Sequence, residues 1–314
     1  MKKISILTFV LLGSMMLSAQ HSIEFFFDEL GNVNLTTQTS VESSGATMKI
    51  NHRQDDIEWA RIVYRVIDMR YKQNYQLYNP VNPDDSQYCS LFKTMLMAIQ
   101  EGMPVYEKSI NIGDIKPVFD EPMPKEMIPT ILNTDRTGEL GDGNIATSEY
   151  MLLNYDSIAD EMTFNGYSYK NFMRNQLKYI IQEVVFFDRH HSRMFRKITA
   201  IAPLNADNAT FYEGMSVMDA LYGQILFWVP FDSFRPYMAK RYMTPKKNDY
   251  QRVTFDEFFE QRKFSSYIIG MGDVFIPELI SSRLTGEELR DAIRKEQERL
   301  ENELLYVEQD IWEY

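Results

Sequence analysis

Four histidines, one cysteine and 45 carboxylates are the residues that could carry chemistry in this sequence of 314 residues. His190 and His191 are neighbours in the chain. On a helix, neighbouring side chains diverge by about 100°, whereas two histidines that chelate one metal ion are normally four residues apart. We therefore predict no metal binding by this pair, and expect two basic groups beside Arg189 and Arg193 on a surface.

Cys89 is the one thiol of the chain, and an apolar helical pattern that includes Tyr88 and Phe92 surrounds it. This pattern favours a buried structural cysteine over a nucleophile. The sequence contains no G-x-S-x-G turn, no phosphate-binding glycine loop and no H-E-x-x-H motif. We predict no catalytic residue, no cofactor and no metal. A glycosidase-like pair of carboxylates stays open, because the sequence does not give their separation in space.

Composition and charge exclude some classes of protein. With 44% hydrophobic and 13% aromatic residues, the chain has enough apolar material for one large domain or two small ones. The net charge of -12 makes nucleic acid a poor partner. Residues 284–314 hold ten acidic and four basic residues, which gives this tail a charge of -6. Such an uneven distribution suits contacts between like subunits, but solvated faces are the commoner explanation.

The first 19 residues have the pattern of a secretory signal peptide. Two lysines precede an apolar run over 4–17, which is too short to span a bilayer and ends in the small residues Ser18 and Ala19. The next residue is Gln20, so the route of lipid attachment that requires a cysteine there is closed. We expect an exported protein without an anchor of its own.

Residues 20–54 predict an extended N-terminal arm. Phe25, Phe26 and Phe27 form an apolar cluster, and the rest of the segment has no sustained period. Three adjacent phenylalanines favour docking on a neighbouring protein over solvation. These three residues are therefore candidate interface residues.

Helical periodicity predicts most of the elements in residues 55–283. We predict four helices: one from Asp55 with Ile57, Ala60, Tyr64, Ile67 and Tyr71 inward; one around 88–99, ending near Gly102; one capped by Ser168 with apolar positions from Phe172 to Val184; and one opening at Asp232. Thr254 and Glu257 have the spacing of a capping box and predict a fifth.

Strands are predicted only as short elements. Residues 197–202 and 224–229 are strand-like runs, and short strands are expected at 109–112 and 150–153 within the segment 107–166. This segment is rich in proline and glycine, which makes it a possible boundary between subdomains. The predicted class is α+β: mostly helical with short strands, an N-terminal extended arm and a long C-terminal helix.

Residues 284–314 predict an acidic amphipathic helix of roughly 27 residues. Thr285 and Glu288 have capping-box spacing, and an apolar stripe continues through Leu300, Leu304 and Val307. The helix either folds back along its own domain or packs against another chain. Leu300, Leu304 and Val307 are therefore candidate interface residues.

Three segments carry a family resemblance. They are DDIEWARIVYRVIDMRYKQNYQLYNP over 55–80, ILFWVPFDSFRPYMAKR over 225–241 and TFDEFFEQRKFSSYIIG over 254–270. In this order they resemble the GldN/PorN family of gliding-motility and type IX secretion components of the Bacteroidota, most closely its PorN branch. Asp156-Ser157-Ile158 also resembles the O-glycosylation acceptor pattern of exported proteins in that phylum.

The resemblance implies a non-enzymatic structural subunit of the type IX secretion system in the periplasm, peripherally associated with the outer membrane. It implies a ring built from copies of the chain with a GldK/PorK-type lipoprotein, and a contact with the GldM/PorM-type protein that spans the periplasm. It supplies no catalytic residue. The alternative is an exported carbohydrate- or peptidoglycan-active domain.

Overall fold

The fold is described from a computed structural model of the 314-residue chain. The residues described are 52–80, 88–107, 115–124, 127–131, 134–136, 162–164, 167–168, 173, 177–206, 223–244, 253–280, 284 and 286–312. The predicted signal peptide, the cluster Phe25 to Phe27, the short strands predicted at 109–112 and 150–153, and Ser157 lie outside these residues.

A seven-stranded antiparallel sheet forms the centre of the described structure. Its three long strands are β1 (Ile57–Asp68), β5 (Leu177–Asp188) and β6 (Arg193–Asn205). The strand order is β10, β9, β1, β5, β6 and β7, and β8 pairs with β6 next to β7. The strands β2, β3 and β4 form a separate three-stranded sheet.

The remaining elements are short, except for two helices of ten and 27 residues. The other strands are β2 (Thr134–Arg136), β3 (Met162–Phe164), β4 (Tyr167–Ser168), β7 (Gln224–Ile225), β8 (Val229–Pro230), β9 (Tyr267–Met271) and β10 (Val274–Phe275). The helices are α1 (Tyr75–Tyr78), α2 (Leu91–Gln100), α3 (Ile128–Ile131), α4 (Phe231–Ala239), α5 (Phe255–Glu260), α6 (Ile276–Leu279) and α7 (Gly286–Trp312).

The prediction of a mostly helical fold with short strands is wrong. The segment from Asp55 that was expected to form a helix is strand β1, and the expected helix from Phe172 to Val184 is largely strand β5. All twelve residues of β5 and the last six of β1 are buried. A strand covered on both faces lacks the alternation of polar and apolar residues, and its apolar run can then coincide with helical spacing.

Helices α2, α4 and α5 cover one face of the sheet, as part of one large apolar cluster. Ile181 and Ile201 from the sheet belong to this cluster, with Phe92 from α2, Phe234 from α4 and Phe258 from α5. The predictions of these three helices are confirmed. The capping box is also confirmed, because the Thr254 hydroxyl accepts a hydrogen bond from the backbone N–H of Glu257 at 3.2 Å, and the Glu257 carboxylate accepts one from the Thr254 N–H at 3.1 Å.

The opposite face of the sheet is closed by an apolar cluster that includes Trp228, Tyr64 and Ile115. Trp228 is fully buried, and its indole Nε1 donates a hydrogen bond to the carbonyl oxygen of Ile115 at 3.1 Å. The strand-like run predicted over 224–229 consists of β7 and β8, with Leu226 to Trp228 between them. Both strands pair with β6 and complete this edge of the sheet.

The turn after β1 is held by one buried side chain, Asn74. Its amide Nδ2 donates hydrogen bonds to the carbonyl oxygens of Asp68 and Ser265, both at 2.8 Å. Its Oδ1 accepts a hydrogen bond from the backbone N–H of Ser265, also at 2.8 Å. Asn74 therefore joins the end of β1 to the loop between α5 and β9, although 191 residues separate it from Ser265.

Candidate functional site

The C-terminal helix α7 packs along the sheet with one face. Leu300 and Leu304 are buried and share an apolar cluster with Val63, Val185 and Ile268 of strands β1, β5 and β9. The predicted length of about 27 residues is confirmed. Of the two arrangements considered for this helix, the structure contains the one in which it folds back on its own domain.

The other face of α7 is open to solvent near its C-terminal end. Leu305 is 52% exposed and Tyr306 is 62% exposed, whereas Val307 is half-buried. Large apolar side chains on the outer face of a charged helix are available to a partner. The role of Leu300, Leu304 and Val307 as interface residues stays a prediction.

Charged side chains fasten α7 to the sheet beside the two leucines. Arg65 on β1 donates a hydrogen bond from Nε to Glu183 on β5 at 2.6 Å, and its Nη1 lies 3.5 Å from the Glu301 carboxylate on α7. Nearer the other end of β1, Arg61 pairs with Glu303. These contacts add to the apolar packing of the two leucines.

Glu183 is fully buried and lies between two guanidinium groups. Besides Arg65, it pairs with Arg262, whose Nη2 is 2.7 Å from Oε2. Register shifts occur beside Glu183 in the β5–β6 ladder and beside Arg65 in the β1–β9 ladder. Irregularities of this kind change the direction in which side chains point from the sheet. Arg262 follows the end of α5, so the buried Glu183 carboxylate links that end of the helix to strands β1 and β5 beneath α7.

A small cavity of about 80 Å³ lies next to this junction, lined in part by Arg196 and Arg262. Two of its cationic side chains are paired within the chain: Lys197 donates a hydrogen bond to Asp232 at 3.1 Å, and Arg235 binds Asp256 through Nε at 2.8 Å and Nη2 at 3.2 Å. Burial lowers the pKa of Lys197, and the Asp232 carboxylate partly opposes that effect. The volume suits a few water molecules.

A second cluster of polar groups lies where the β5–β6 turn meets the start of the described chain. His52 precedes β1, Asp188 ends β5 and His191 lies in the turn. The Asp188 Oδ2 atom contacts Nδ1 of His52 and lies 2.7 Å from Nδ1 of His191. The backbone N–H of His191 donates to Asp188 Oδ1 at 3.2 Å. His52 and Asp188 are buried, and His191 is half-buried.

Aromatic rings enclose the inner side of this His52–Asp188–His191 cluster. Phe186 and Phe195 lie edge-on to the His52 ring, with centroid distances of 5.0 and 4.3 Å. Burial lowers the pKa of His52 despite its contact with the carboxylate. Burial alone would raise the pKa of Asp188, but its hydrogen bonds with the two histidines outweigh that effect and lower it.

The two histidines that share one carboxylate are His52 and His191, and not the neighbours His190 and His191. His190 is exposed, and its ring contacts the ring of His191. His52 contacts Asp188 although 136 residues separate the two along the chain. No periodic pattern reveals a contact over that separation. Among the described residues, His52, Asp188 and His191 are the set whose ligand atoms could hold a metal ion.

Cys89 has the structural role that was predicted for it. It is fully buried, and its Sγ lies 3.0 Å from the Thr94 hydroxyl of α2. Burial raises the pKa of the Cys89 thiol, which keeps it protonated near neutral pH. Trp228 is in the core, and Trp59 is half-buried against the cluster under α7. In the described part of the chain, no helix is both long and apolar enough to cross a bilayer.

Comparison with known proteins places this sheet and its covering helices in a class of motility and secretion components. The family described as gliding motility associated protein GldN matches residues 52–313. The chain therefore belongs to the GldN family, whose members are structural components of gliding motility and type IX secretion. The resemblance of the three sequence segments is thus confirmed. No curated protein matches the chain.

Proposed function

We propose that the chain is a non-enzymatic structural subunit of the type IX secretion system in the periplasm, held at the outer membrane by its partners. In this proposal, copies of the chain form a ring with a GldK/PorK-type lipoprotein. The ring contacts the GldM/PorM-type protein that spans the periplasm, and protein secretion depends on the assembly, as does gliding in motile species.

The observation that carries this proposal is the family match over 52–313, which includes every described strand and the whole of α7. The signal-peptide pattern over 1–19 supports export. Gln20 supports attachment through partners, because the chain has no cysteine there to carry a lipid.

We place the contacts with partners on two surfaces. One is the outer face of the last turns of α7, where Leu305 and Tyr306 are exposed and Val307 is half-buried. Leu300 and Leu304 would act on it indirectly, since they hold the helix against the sheet. The other surface is the arm, with Phe25, Phe26 and Phe27 as its apolar contact residues. A partner on α7 would remove Leu305 and Tyr306 from water, which favours association.

The test is crosslinking mass spectrometry on intact outer membranes, combined with a double variant of α7, Leu305→Glu and Tyr306→Glu. We expect wild-type crosslinks to a lipoprotein and to neighbouring copies of the chain. The double variant should retain its circular dichroism and unfolding midpoint, because both side chains face solvent, but lose assembly. Arg290→Glu is the matched control on the same helix, since Arg290 is also exposed but lies several turns from this face.

Two results would overturn the proposal. One is an isolated chain that is a stable monomer, with no crosslinks to a lipoprotein in the membrane. The other is turnover of a saccharide or of peptidoglycan by the purified chain, abolished by changing two neighbouring carboxylates, which would favour the carbohydrate-active alternative. If assembly survives in the double variant while the crosslinks persist, the contact lies on another surface than α7.

A further inference from the structure

We propose that His52, Asp188 and His191 form a binding site for a divalent transition metal, with zinc as the ion that fits best. The inference is independent of the proposed secretion role. It rests on three ligand-type side chains that come from the segment before β1, the end of β5 and the β5–β6 turn.

The ligand atoms converge on one point. One ligand atom from each of the three residues lies within 4.8 Å of the other two. In a tetrahedral zinc site with bonds of about 2.0–2.1 Å, neighbouring ligand atoms are roughly 3.3 Å apart. Small rotations of the side chains therefore suffice to admit an ion. Both histidines present Nδ1 to the same carboxylate oxygen, and loss of the Nδ1 protons on metal binding would let both nitrogens coordinate one ion beside that oxygen.

The donor set selects the kind of metal. Two imidazoles and one carboxylate suit zinc and similar transition metals, whereas calcium and magnesium prefer oxygen ligands alone. His52 and Asp188 are buried beside Phe186 and Phe195, which excludes competing water from the inner side. His191 is 31% exposed and leaves an outer side through which an ion could enter and a fourth ligand could bind.

A bound ion would fasten the start of the family domain to the sheet. His52 is the first described residue and lies at the end of the predicted arm over 20–54. Other contacts also join the start of the domain to the β5–β6 turn. The Arg189 N–H donates a backbone hydrogen bond to the Asp56 carbonyl at 2.8 Å, and Arg189 forms an exposed ion pair with Glu58. Metal binding would stabilise this junction and set the direction in which the arm leaves the domain.

The test uses the full chain, purified through a tag without histidines, alone or in the complex that keeps it soluble. Metal content is measured by elemental analysis, and zinc affinity by titration calorimetry near pH 7.5. Cobalt(II) serves as a second probe, because its absorption spectrum reports coordination by nitrogen and oxygen. We expect about one zinc per chain, and His191→Ala should weaken zinc binding by about tenfold or more.

Matched controls distinguish this site from adventitious binding. His190→Ala removes the neighbouring exposed histidine and should leave zinc affinity unchanged. Arg193→Gln removes a positive charge whose guanidinium stacks on the Phe195 ring, 4.4 Å from its centroid, and should strengthen binding of a cation. Because His191 is half-buried and lies in a turn, His191→Ala should retain the wild-type circular dichroism spectrum.

Two results would overturn the inference. If neither zinc nor cobalt binds the folded wild-type chain, the three residues form a hydrogen-bonded triad only. If His190→Ala weakens binding as much as His191→Ala does, the ion sits on the exposed histidine pair instead. Loss of assembly in the crosslinking experiment would leave this result unaffected, because zinc is measured on the chain itself.

Discussion

Asn74 offers the sharpest test of how this fold is held together, because one buried side chain makes three hydrogen bonds of 2.8 Å to two distant segments. A typical intramolecular hydrogen bond contributes roughly 1 kcal/mol to stability. Asn74→Ala should therefore lower the free energy of unfolding by about 3 kcal/mol, a large part of the 5–15 kcal/mol typical of a domain.

The variant Asn74→Asp separates hydrogen bonding from packing, because aspartate has nearly the same shape as asparagine. It can still accept from the Ser265 N–H, but it replaces the two Nδ2–H donors by an oxygen that faces the carbonyls of Asp68 and Ser265. At neutral pH it should destabilise the protein at least as much as alanine does. Protonation of the new carboxyl at low pH restores one donor, so part of the loss should then be recovered.

The measurement is equilibrium unfolding in urea near pH 7, extrapolated to water. Gln76→Ala, in the adjacent helix α1, is the control: its amide donates one hydrogen bond to the Thr244 carbonyl at 2.7 Å, so the substitution should cost about 1 kcal/mol. A loss below about 0.5 kcal/mol for Asn74→Ala would refute this account. So would an Asn74→Asp variant as stable as the wild type at neutral pH.

Two further perturbations test α7 and the end of β1. Leu304→Ala should cost about 2–5 kcal/mol in urea unfolding, because Leu304 is buried against the sheet; a loss near zero would mean that α7 does not rest there. Asp68 is buried and paired with Arg70 at 2.6 Å. Burial would raise its pKa, but hydrogen bonds from Arg70 and the charge of Lys178 lower it. Because the pKa of Asp68 is lower in the folded protein, the unfolded chain takes up a proton at a higher pH than the folded chain does. The stabilisation by the ionised Asp68 carboxylate is therefore present above about pH 4 and is lost as the pH falls below it. Asp68→Asn should be less stable at pH 7 and approach the wild type toward pH 2; a constant difference across that range would contradict the assignment.

Amphipathic helices were predictable from this sequence, whereas fully buried strands were not. The Thr254 capping box and the apolar stripe of α7 each depend on residues three or four positions apart, so local periodicity identified those helices. In β1 the residues Ile57, Tyr64 and Ile67 also have helical spacing, but both faces of the strand's second half are covered. Periodicity then gives no evidence of a strand, and the pairing of β1 with β5, more than 100 residues later, decides the structure.

The candidate sites were hidden from the sequence for the same reason. Glu183 receives its partners Arg65 and Arg262 from strand pairing and from the loop after α5. His52 meets Asp188 only because β1 and β5 pair antiparallel, which brings the start of one strand to the end of the other. Local spacing can indicate a metal site within one helix, but it cannot indicate a site assembled across a sheet.

The way α7 is attached bears on how a structural subunit could respond to its partners. Among its described side chains, Leu300 and Leu304 are the buried ones, and Arg61 and Arg65 add ion pairs that are partly exposed on the α7 side. Exposed ion pairs contribute little to stability, so among the described side chains of α7 the buried Leu300 and Leu304, with the partly buried Ile293, provide most of its attachment. The central strands are buried over most of their length, and their separation requires global unfolding. Release of α7 should therefore cost less free energy than separation of the central strands, so a partner would meet less resistance at this helix than at the sheet.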